Sequence, residues 1–369
     1  MRMRDYSVLI VGGGPAGLAT ATELARQRIA AVVVERSAYN DLRIGEHLVP
    51  NGVLQLRALD PALCMSADVH SLSAGVIAYW GSETANHMDY FLHPGQYGLN
   101  VCRPRFDVDL ARAAETSGAT ILRSASLQCV VRSNTFWQVD IGLDGRTRKV
   151  TVPVIVDATG RAATFSRRQG ARVRAHDRQV AVVAFQNHSN EGCLGTRSIV
   201  EAAETGWWYC APINATRSMC MFVTDDDLLP RGAKHELCAW WLEQLGRTVH
   251  VSWQFGEPSH SRDFAARSAR SQCLDVQFGS GWLAVGDAAM AFDPLASQGI
   301  AKALDHGKRA ASSIAAYLSG DATSFERLAL DLRREYASYR ATRADYYRIE
   351  MRWPQSVFWR RRNVEPATS

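Results

Sequence analysis

Val8-Leu9-Ile10-Val11-Gly12-Gly13-Gly14-Pro15-Ala16-Gly17-Leu18-Ala19 is an apolar, β-branched run that breaks at a glycine cluster and resumes with helical character. The order strand, tight turn, helix follows. Gly12 permits the turn, Gly14 lets the backbone approach a pyrophosphate, and Gly17 allows the helix to pack closely on the strand. Pro15 and Ala16 open a helix whose free N–H groups and positive dipole end suit an anion. A second apolar run, 31–34, ends at Glu35, whose carboxylate can accept hydrogen bonds from both hydroxyls of a ribose. A glycine-rich turn alone is ordinary punctuation. Strand, helix, second strand and terminal acid in this order specify a dinucleotide site, and NAD and FAD satisfy it equally.

Three later segments bear on that choice. Residues 281–289, Gly-Trp-Leu-Ala-Val-Gly-Asp-Ala-Ala, read as a strand ending near Gly286 and Asp287, and Asp293-Pro294-Leu295-Ala296-Ser297-Gln298-Gly299-Ile300 then leads into a long helical run. Asp287 can bind a polyol hydroxyl, and backbone N–H groups around Gly299 can face the electron-rich edge of a flavin, where negative charge develops on reduction. Val154-Ile155-Val156-Asp157-Ala158-Thr159-Gly160-Arg161 is another buried strand meeting a glycine turn. Arg103-Pro104-Arg105-Phe106-Asp107 opens an amphipathic helix with an arginine available to a phosphate or ring oxygen.

Composition bounds the rest. The chain has 369 residues, 47% hydrophobic and 21% charged, which supports a large core and excludes a disordered or fibrous protein. Lys+Arg of 42 against Asp+Glu of 37 leaves a dispersed charge of +5, which does not suggest nucleic acid as a partner. Only Lys149, Lys234, Lys302 and Lys308 are lysines. The cysteines Cys64, Cys102, Cys129, Cys193, Cys210, Cys220, Cys238 and Cys273 form no CxxC pair, so no metal site is expected and a reduced cytoplasmic setting is the simpler reading. The apolar run 8–11 is too short for a signal peptide, and no stretch approaches the roughly 20 residues that span a bilayer. The expectation is therefore a cytoplasmic chain without membrane insertion.

The four motifs together resemble those of the FAD-dependent aromatic hydroxylases and the related flavin-dependent halogenases. That resemblance implies an α/β fold in which a GxGxxG-type FAD-binding domain (1–67, 101–169 and 276–320) is interleaved with a mixed-sheet substrate domain (68–100 and 170–275) and followed by a C-terminal helical region and basic tail (321–369). It implies FAD as cofactor and, as its neighbours, Gly12, Gly14, Pro15, Ala16, Gly17, Glu35, Arg36, Arg43, Arg103, Asp157, Gly160, Gly286, Asp287, Pro294, Gln298, Gly299 and Ile300. Gly45-Glu46-His47-Leu48-Val49-Pro50 is similar to the G-E-x-L-x-P stretch beside the isoalloxazine in halogenase-like members. Glu46, His47 and Pro294 are accordingly the candidate catalytic residues, although Glu46 also suits a purely loop-anchoring role.

Tryptophan halogenases carry a catalytic lysine after the G-E motif and a later W-x-W-x-I-P motif. Residues 36–148 contain no lysine, and the second site reads Gly206-Trp207-Trp208-Tyr209-Cys210-Ala211-Pro212. Hydroxylation through a flavin hydroperoxide therefore outranks halogenation. Residues 286–300, Gly-Asp-Ala-Ala-Met-Ala-Phe-Asp-Pro-Leu-Ala-Ser-Gln-Gly-Ile, more narrowly resemble the flavoproteins of glycine oxidase and lysine oxidase maturation. This implies a tryptophan of a precursor oxidase as substrate, hydroxylated while cysteine tryptophylquinone is built, with molecular oxygen and NAD(P)H or another reductant. A small phenol or indole as substrate, or a maturation factor that binds flavin without turnover, are the alternatives.

The short β-type runs between 198 and 223 suggest a sheet over the flavin, in which Trp207, Trp208, Tyr209 and Phe222 either line a pocket or form core. Leu328, Leu332, Tyr336 and Tyr339 recur at helical spacing in 325–347. Beyond them, Trp353, Phe358, Trp359 and the arginines Arg360, Arg361 and Arg362 either dock an acidic protein surface or fold back on the body.

Overall fold

A computed structural model describes residues 6–40, 43–64, 70–188, 195–255 and 264–363. Cys193 and the Cys64 side chain lie outside the described residues. A six-stranded sheet forms the first layer, in the order Phe278–Gly279, Trp282–Ala284, Val154–Asp157, Val8–Val11, Ala31–Val34, Thr120–Leu122. All neighbours run parallel except the edge strand Phe278–Gly279. Every residue of Val8–Val11, Ala31–Val34 and Val154–Asp157 is buried, which is why these strands read as unbroken apolar runs and do not alternate. Their carboxyl ends converge on one edge, where an open parallel sheet receives its ligand.

The Pro15–Arg26 helix starts with proline where the missing N–H costs no hydrogen bond. It lies so close to the Gly299–Leu318 helix that a Cβ on Gly307 would stand 2.6 Å from the Ala19 Cβ and 2.8 Å from the Ala16 carbonyl oxygen. Only glycine at 307 permits that approach.

A seven-stranded sheet forms the cover, in the order Phe264–Ser268, Gln179–Asn187, Arg217–Asp225, Gly206–Asn214, Arg197–Ala203, Gly75–Tyr79, Asn86–Asp89. Both faces of its central strands are apolar and both are covered. Trp207 and Tyr209 share one face with Met219 and Met221 and pack toward Tyr347, Phe358 and Trp359, whereas Trp208 and Phe222 pack toward Trp241 and Phe255 on the other. Trp207, Trp208 and Phe222 are fully buried, so they serve as core. Three short strands, Val173–Ala175, Gln272–Leu274 and Met290–Ala291, form a small antiparallel sheet of their own. We propose the division at 1–67, 101–169 and 276–320 against 68–100 and 170–275 along these layers, with 321–369 appended.

The helix expected over 325–347 extends from Ser324 to Ile349 and buries Leu328, Leu332, Tyr336 and Tyr339. Among the described residues no helix is long and apolar enough to cross a membrane. The docking reading of the tail is overturned. Phe358 and Trp359 are 0% exposed in the short Val357–Asn363 helix, and Trp359 Nε1 donates to the Ala203 carbonyl at 2.9 Å. Arg362 is buried on Asp225, with Nη2 2.6 Å from Oδ1, while Arg361 reaches Asp225 at 2.8 Å and Asp227 at 2.7 Å. The physical reason is that two aspartates at the end of a cover-sheet strand capture arginines that composition alone would leave in solvent. Arg360 stays exposed. Arg362→Ala strands the buried Asp225 carboxylate with weaker compensation, and we expect a loss of about 3–5 kcal/mol in urea unfolding. Arg360→Ala should stay within about 0.5 kcal/mol of the parent; equal effects would refute the assignment.

Candidate cofactor and active site

The three glycines of the first turn have separate jobs. Gly12 has φ +105°, and a Cβ there would lie 2.3 Å from the Ala158 carbonyl oxygen; a Cβ on Gly17 would lie 2.0 Å from the Gly12 carbonyl oxygen. Both are closed against backbone. A Cβ on Gly14 would meet nothing within 4 Å, so that face of the turn is open. The helix beginning at Pro15 has neither a side-chain cap nor an acidic residue in its first turn, and its amides remain available to an anion. Gly286, at φ +57°, approaches Ala16 so closely that a Cβ would stand 2.7 Å from the Ala16 Cβ. The 286–287 turn is thereby brought beside the first one.

Glu35 is buried at the end of its strand. Its Oε2 accepts from the Gly13 N–H at 2.7 Å, and its Oε1 accepts from Ser37 Oγ at 2.6 Å and from Arg43 at 3.0 Å. Burial opposes its charge, but the Ser37 and Gly13 hydrogen bonds and the Arg43 guanidinium prevail and hold it below the usual carboxylate range. Arg43 continues to Asp107 at 2.9 Å, and Arg103 shares Asp107 at 3.3 Å while donating to the Ile44 carbonyl. Arg36 is exposed beside this cluster. Tyr39 was not anticipated: its left-handed backbone, φ +65°, seats its buried hydroxyl where a Gly13 Cβ would be 2.3 Å away. A single tyrosine in a loop has no periodicity to betray it.

Asp157 is fully buried and its oxygens accept from the Thr159 N–H and hydroxyl at 3.0 and 2.6 Å and from the Ser166 N–H and hydroxyl, both at 2.7 Å. It anchors the turn that carries Gly160, whose φ is +67° and whose missing Cβ faces open space. Asp287 meets Lys302 Nζ at 2.8 Å and Arg161 Nε at 3.7 Å. Burial works against its ionisation, yet Lys302 and Arg161 keep it below the ordinary range. Lys302 also donates to the Met290 carbonyl at 2.6 Å and sits 4.3 Å above the Phe292 ring. Its position three residues into a helix that also carries Asp305, Lys308 and Arg309 looks like surface in sequence, which is why it went unrecognised.

The 293–300 loop closes this end. Pro294 is half-buried in a short 3₁₀ turn, Gln298 and Gly299 are exposed, and Ile300 is buried at the start of a helix that again lacks a side-chain cap and an early acid. A Cβ on Gly52 would lie 2.9 Å from the Ala301 Cβ, which places the helix following 45–50 against this same first turn.

Within 45–50, Glu46 is 2% exposed. Its Oε2 accepts from the Gly45 N–H at 2.9 Å, and its Oε1 has no hydrogen-bond partner. Burial pushes its carboxyl up to about 7, with the Gly45 N–H and the charges of Arg103 and Arg217 resisting. His47 is driven the other way by burial, to about 4, so its ring is neutral; Nε2 lies 3.2 Å from Ser73 Oγ and 3.5 Å from the Tyr90 hydroxyl. Tyr209 hydrogen-bonds Ser198 at 3.1 Å, and burial, reinforced by the nearby Glu46 charge, raises its hydroxyl. A buried carboxyl poised near neutrality thus stands among neutral hydroxyls.

Open glycine faces at 14, 160 and 299, two uncapped helix starts, and an acidic Glu35 at the end of the second strand form a set of groups that fits a dinucleotide flavin. Gly14→Val should fold and melt near the parent apoprotein yet purify with little flavin, whereas Gly17→Val should disrupt the fold itself. Flavin absorbance and thermal melting separate the two, and flavin retained by folded Gly14→Val would overturn the placement. Asp287→Ala is likewise expected to lower flavin content.

Residues 5–344 match the FAD binding domain family. The FAD-dependent oxidoreductase LodB of Marinomonas mediterranea is 29% identical over 369 residues, covering 98% of both chains. A 1H-pyrrole-2-carbonyl-[peptidyl-carrier protein] brominase of Pseudoalteromonas luteoviolacea is 24% identical across 86% of this chain and 79% of its own. Among solved structures, the flavin-dependent halogenase CmlS superposes with a TM-score of 0.89 at 22% identity, covering 99% of this chain and 68% of its own. The peptidyl tryptophan dihydroxylase QhpG, essential for tryptophylquinone cofactor biogenesis, gives 0.80 at 23% identity over 98% and 80%. With a family match spanning the glycine turn, the Asp287 turn and the 293–300 loop alike, the chain belongs to the FAD binding domain family and is an FAD-dependent oxidoreductase.

Proposed function

We propose that this protein hydroxylates the indole ring of a tryptophan in a precursor of a quinone-dependent amino-acid oxidase, during formation of cysteine tryptophylquinone. The observation that carries the reading is the state of its lysines. Lys149, Lys234 and Lys308 are exposed, and Lys302 is buried and committed to Asp287, the Met290 carbonyl and the Phe292 ring. None is left to hold hypohalous acid, whereas a buried carboxyl and neutral hydroxyls suit an arene that must lose a proton. End-to-end likeness to LodB and the shared fold with QhpG support the same direction.

When bound, FAD, reduced by NAD(P)H or another donor, supplies activated oxygen. Gly14, Pro15 and Ala16 would hold its pyrophosphate, Glu35 its ribose, and Asp287 and the 298–300 amides its flavin end. One oxygen atom enters a ring C–H as hydroxyl, the other leaves as water, and the donor gives up two electrons. Glu46, ionised, accepts the indole N–H and so raises electron density on the ring carbons; it then serves as sink for the proton that the oxygenated carbon must release. His47 stays neutral and keeps the Ser73 and Tyr90 hydroxyls in place.

Mass spectrometry of a candidate precursor oxidase co-expressed with this protein should reveal added oxygen on one tryptophan, absent with the Gly14→Val form. No added mass in the presence of folded, FAD-loaded protein would refute a peptidyl substrate and favour a free phenol or indole. Because Glu46 acts as carboxylate, turnover should rise with pH to a plateau with a midpoint of about 7, and Glu46→Gln should lose about 10²-fold. The linkage runs opposite in stability: the folded state holds the Glu46 proton more tightly than the unfolded chain, so stability falls as pH climbs from 4.5 to about 7 and levels off above it. Glu46→Gln should remove that fall.

A further inference from the structure

Tyr347 lies just beyond the family-matched residues 5–344, near the end of the Ser324–Ile349 helix, and it is fully buried. Its hydroxyl has three partners. It donates to Asp293 Oδ2 at 2.7 Å, and it accepts from Gln179 Nε2 at 2.8 Å and from Trp207 Nε1 at 2.9 Å. Gln179 and Trp207 stand on two strands of the cover sheet, while Asp293 opens the flavin-facing loop.

Asp293 is itself fully engaged. Its Oδ1 accepts from the Leu295 N–H at 2.9 Å and so caps the Pro294–Ala296 turn; its Oδ2 also accepts from Arg343 Nε at 2.9 Å, and its N–H donates to the Tyr339 hydroxyl at 2.6 Å. Arg343 in turn reaches Asp177 at 3.2 Å and Gln179 Oε1 at 3.1 Å. The loop then passes through Ser297 at φ +48°, a left-handed conformation that a non-glycine residue adopts only when its surroundings impose it. A buried polar network of this kind specifies one arrangement when every member is satisfied, and each missing member leaves a costly unpaired group.

We propose that Tyr347 is a positioning residue of the redox site, its hydroxyl joining Arg343 in fixing the 293–300 loop to the cover sheet and so in setting the spacing between the flavin-facing backbone and the substrate-side layer. The proposal rests on the reading that residues 293–300 flank FAD. The ring of Tyr347 packs against Trp80, Phe358 and Trp359, contacts that phenylalanine keeps. Tyr347→Phe therefore removes the hydroxyl alone and leaves two buried donors without an acceptor. Tyr336→Phe, on the same helix, is the matched control, because the buried Tyr336 hydroxyl has no hydrogen-bond partner among the described residues.

Hydrogen exchange read by mass spectrometry, on apoprotein and FAD-loaded protein, tests this together with the visible circular dichroism of bound FAD. In the unmodified chain FAD should slow exchange across 293–300. Tyr347→Phe should speed exchange there by about tenfold, the opening expected on losing one buried hydrogen-bond hub, and should alter the flavin dichroism, while Tyr336→Phe changes neither. If FAD slows exchange normally but Tyr347→Phe matches the parent, the positioning role is refuted and the loop's placement stands. If FAD leaves 293–300 unprotected in the parent, the placement fails and takes the proposal with it. Should Tyr347→Phe not fold, Trp207→Phe, which withdraws one donor from the same hydroxyl, decides: about threefold faster exchange supports the role, and no change overturns it.

Discussion

Backbone meets backbone at the heart of this protein with no side chain between. The Gly12 carbonyl occupies the place of a Gly17 side chain, the Ala158 carbonyl that of a Gly12 side chain, and Ala16 and Ala19 that of a Gly307 side chain. These approaches draw the first strand, its helix, the Val154–Asp157 strand and the Gly299–Leu318 helix onto one edge of the parallel sheet. Polar turns that are distant in sequence can converge there only because nothing larger than hydrogen intervenes. The cover sheet, by contrast, is spaced by tryptophan, tyrosine and methionine. A tightly closed layer thus faces a thickly padded one.

Apart from Asp157, which Thr159 and Ser166 hold, the acids at this junction obey a common pattern with one exception. Glu35, Asp287, Asp293 and Asp225 each end a strand or open a loop, and each is met by an arginine or lysine from another segment. Arginine predominates because its planar fork can serve two acceptors while buried, as Arg43 does between Glu35 and Asp107 and Arg343 between Asp177 and Asp293. Glu46 is the exception, with one backbone amide on Oε2 and nothing on Oε1. The paired acids build the scaffold, and in Glu35 and Asp287 the partners hold the carboxyl below its ordinary range. Among these acids, Glu46 is the one whose burial carries it to about 7, where a proton can come and go.

How much of this could be read from the chain depended on distance along it. The strand, glycine turn, helix and acid of 8–35 are local, and each residue's type follows from the backbone it must adopt, so they were legible at once. The turn at Asp287 and the helix start at Gly299 were legible for the same reason. Asp157 was identified at its turn, but its engagement by Ser166 was not, since hydrogen bonds between side chains leave no periodic trace. Lys302 and Tyr39 were hidden, one by a helix full of charge and the other by an irregular loop. The basic tail shows the limit most plainly: Phe358, Trp359 and Arg362 owe their burial to Asp225 and the cover-sheet face, neither of which is near them in sequence.

That wrapping has a consequence for biosynthesis. The face of the cover sheet bearing Trp207, Tyr209 and Met221 is completed by Tyr347, Phe358 and Trp359, which emerge from the ribosome long after its strands. A nascent chain must therefore carry an uncovered apolar face while the second half is translated, and such faces attract chaperones and aggregate when left exposed. Flavin loading is bound to the same schedule, since the loop that would meet the ring is tied to that late-arriving helix.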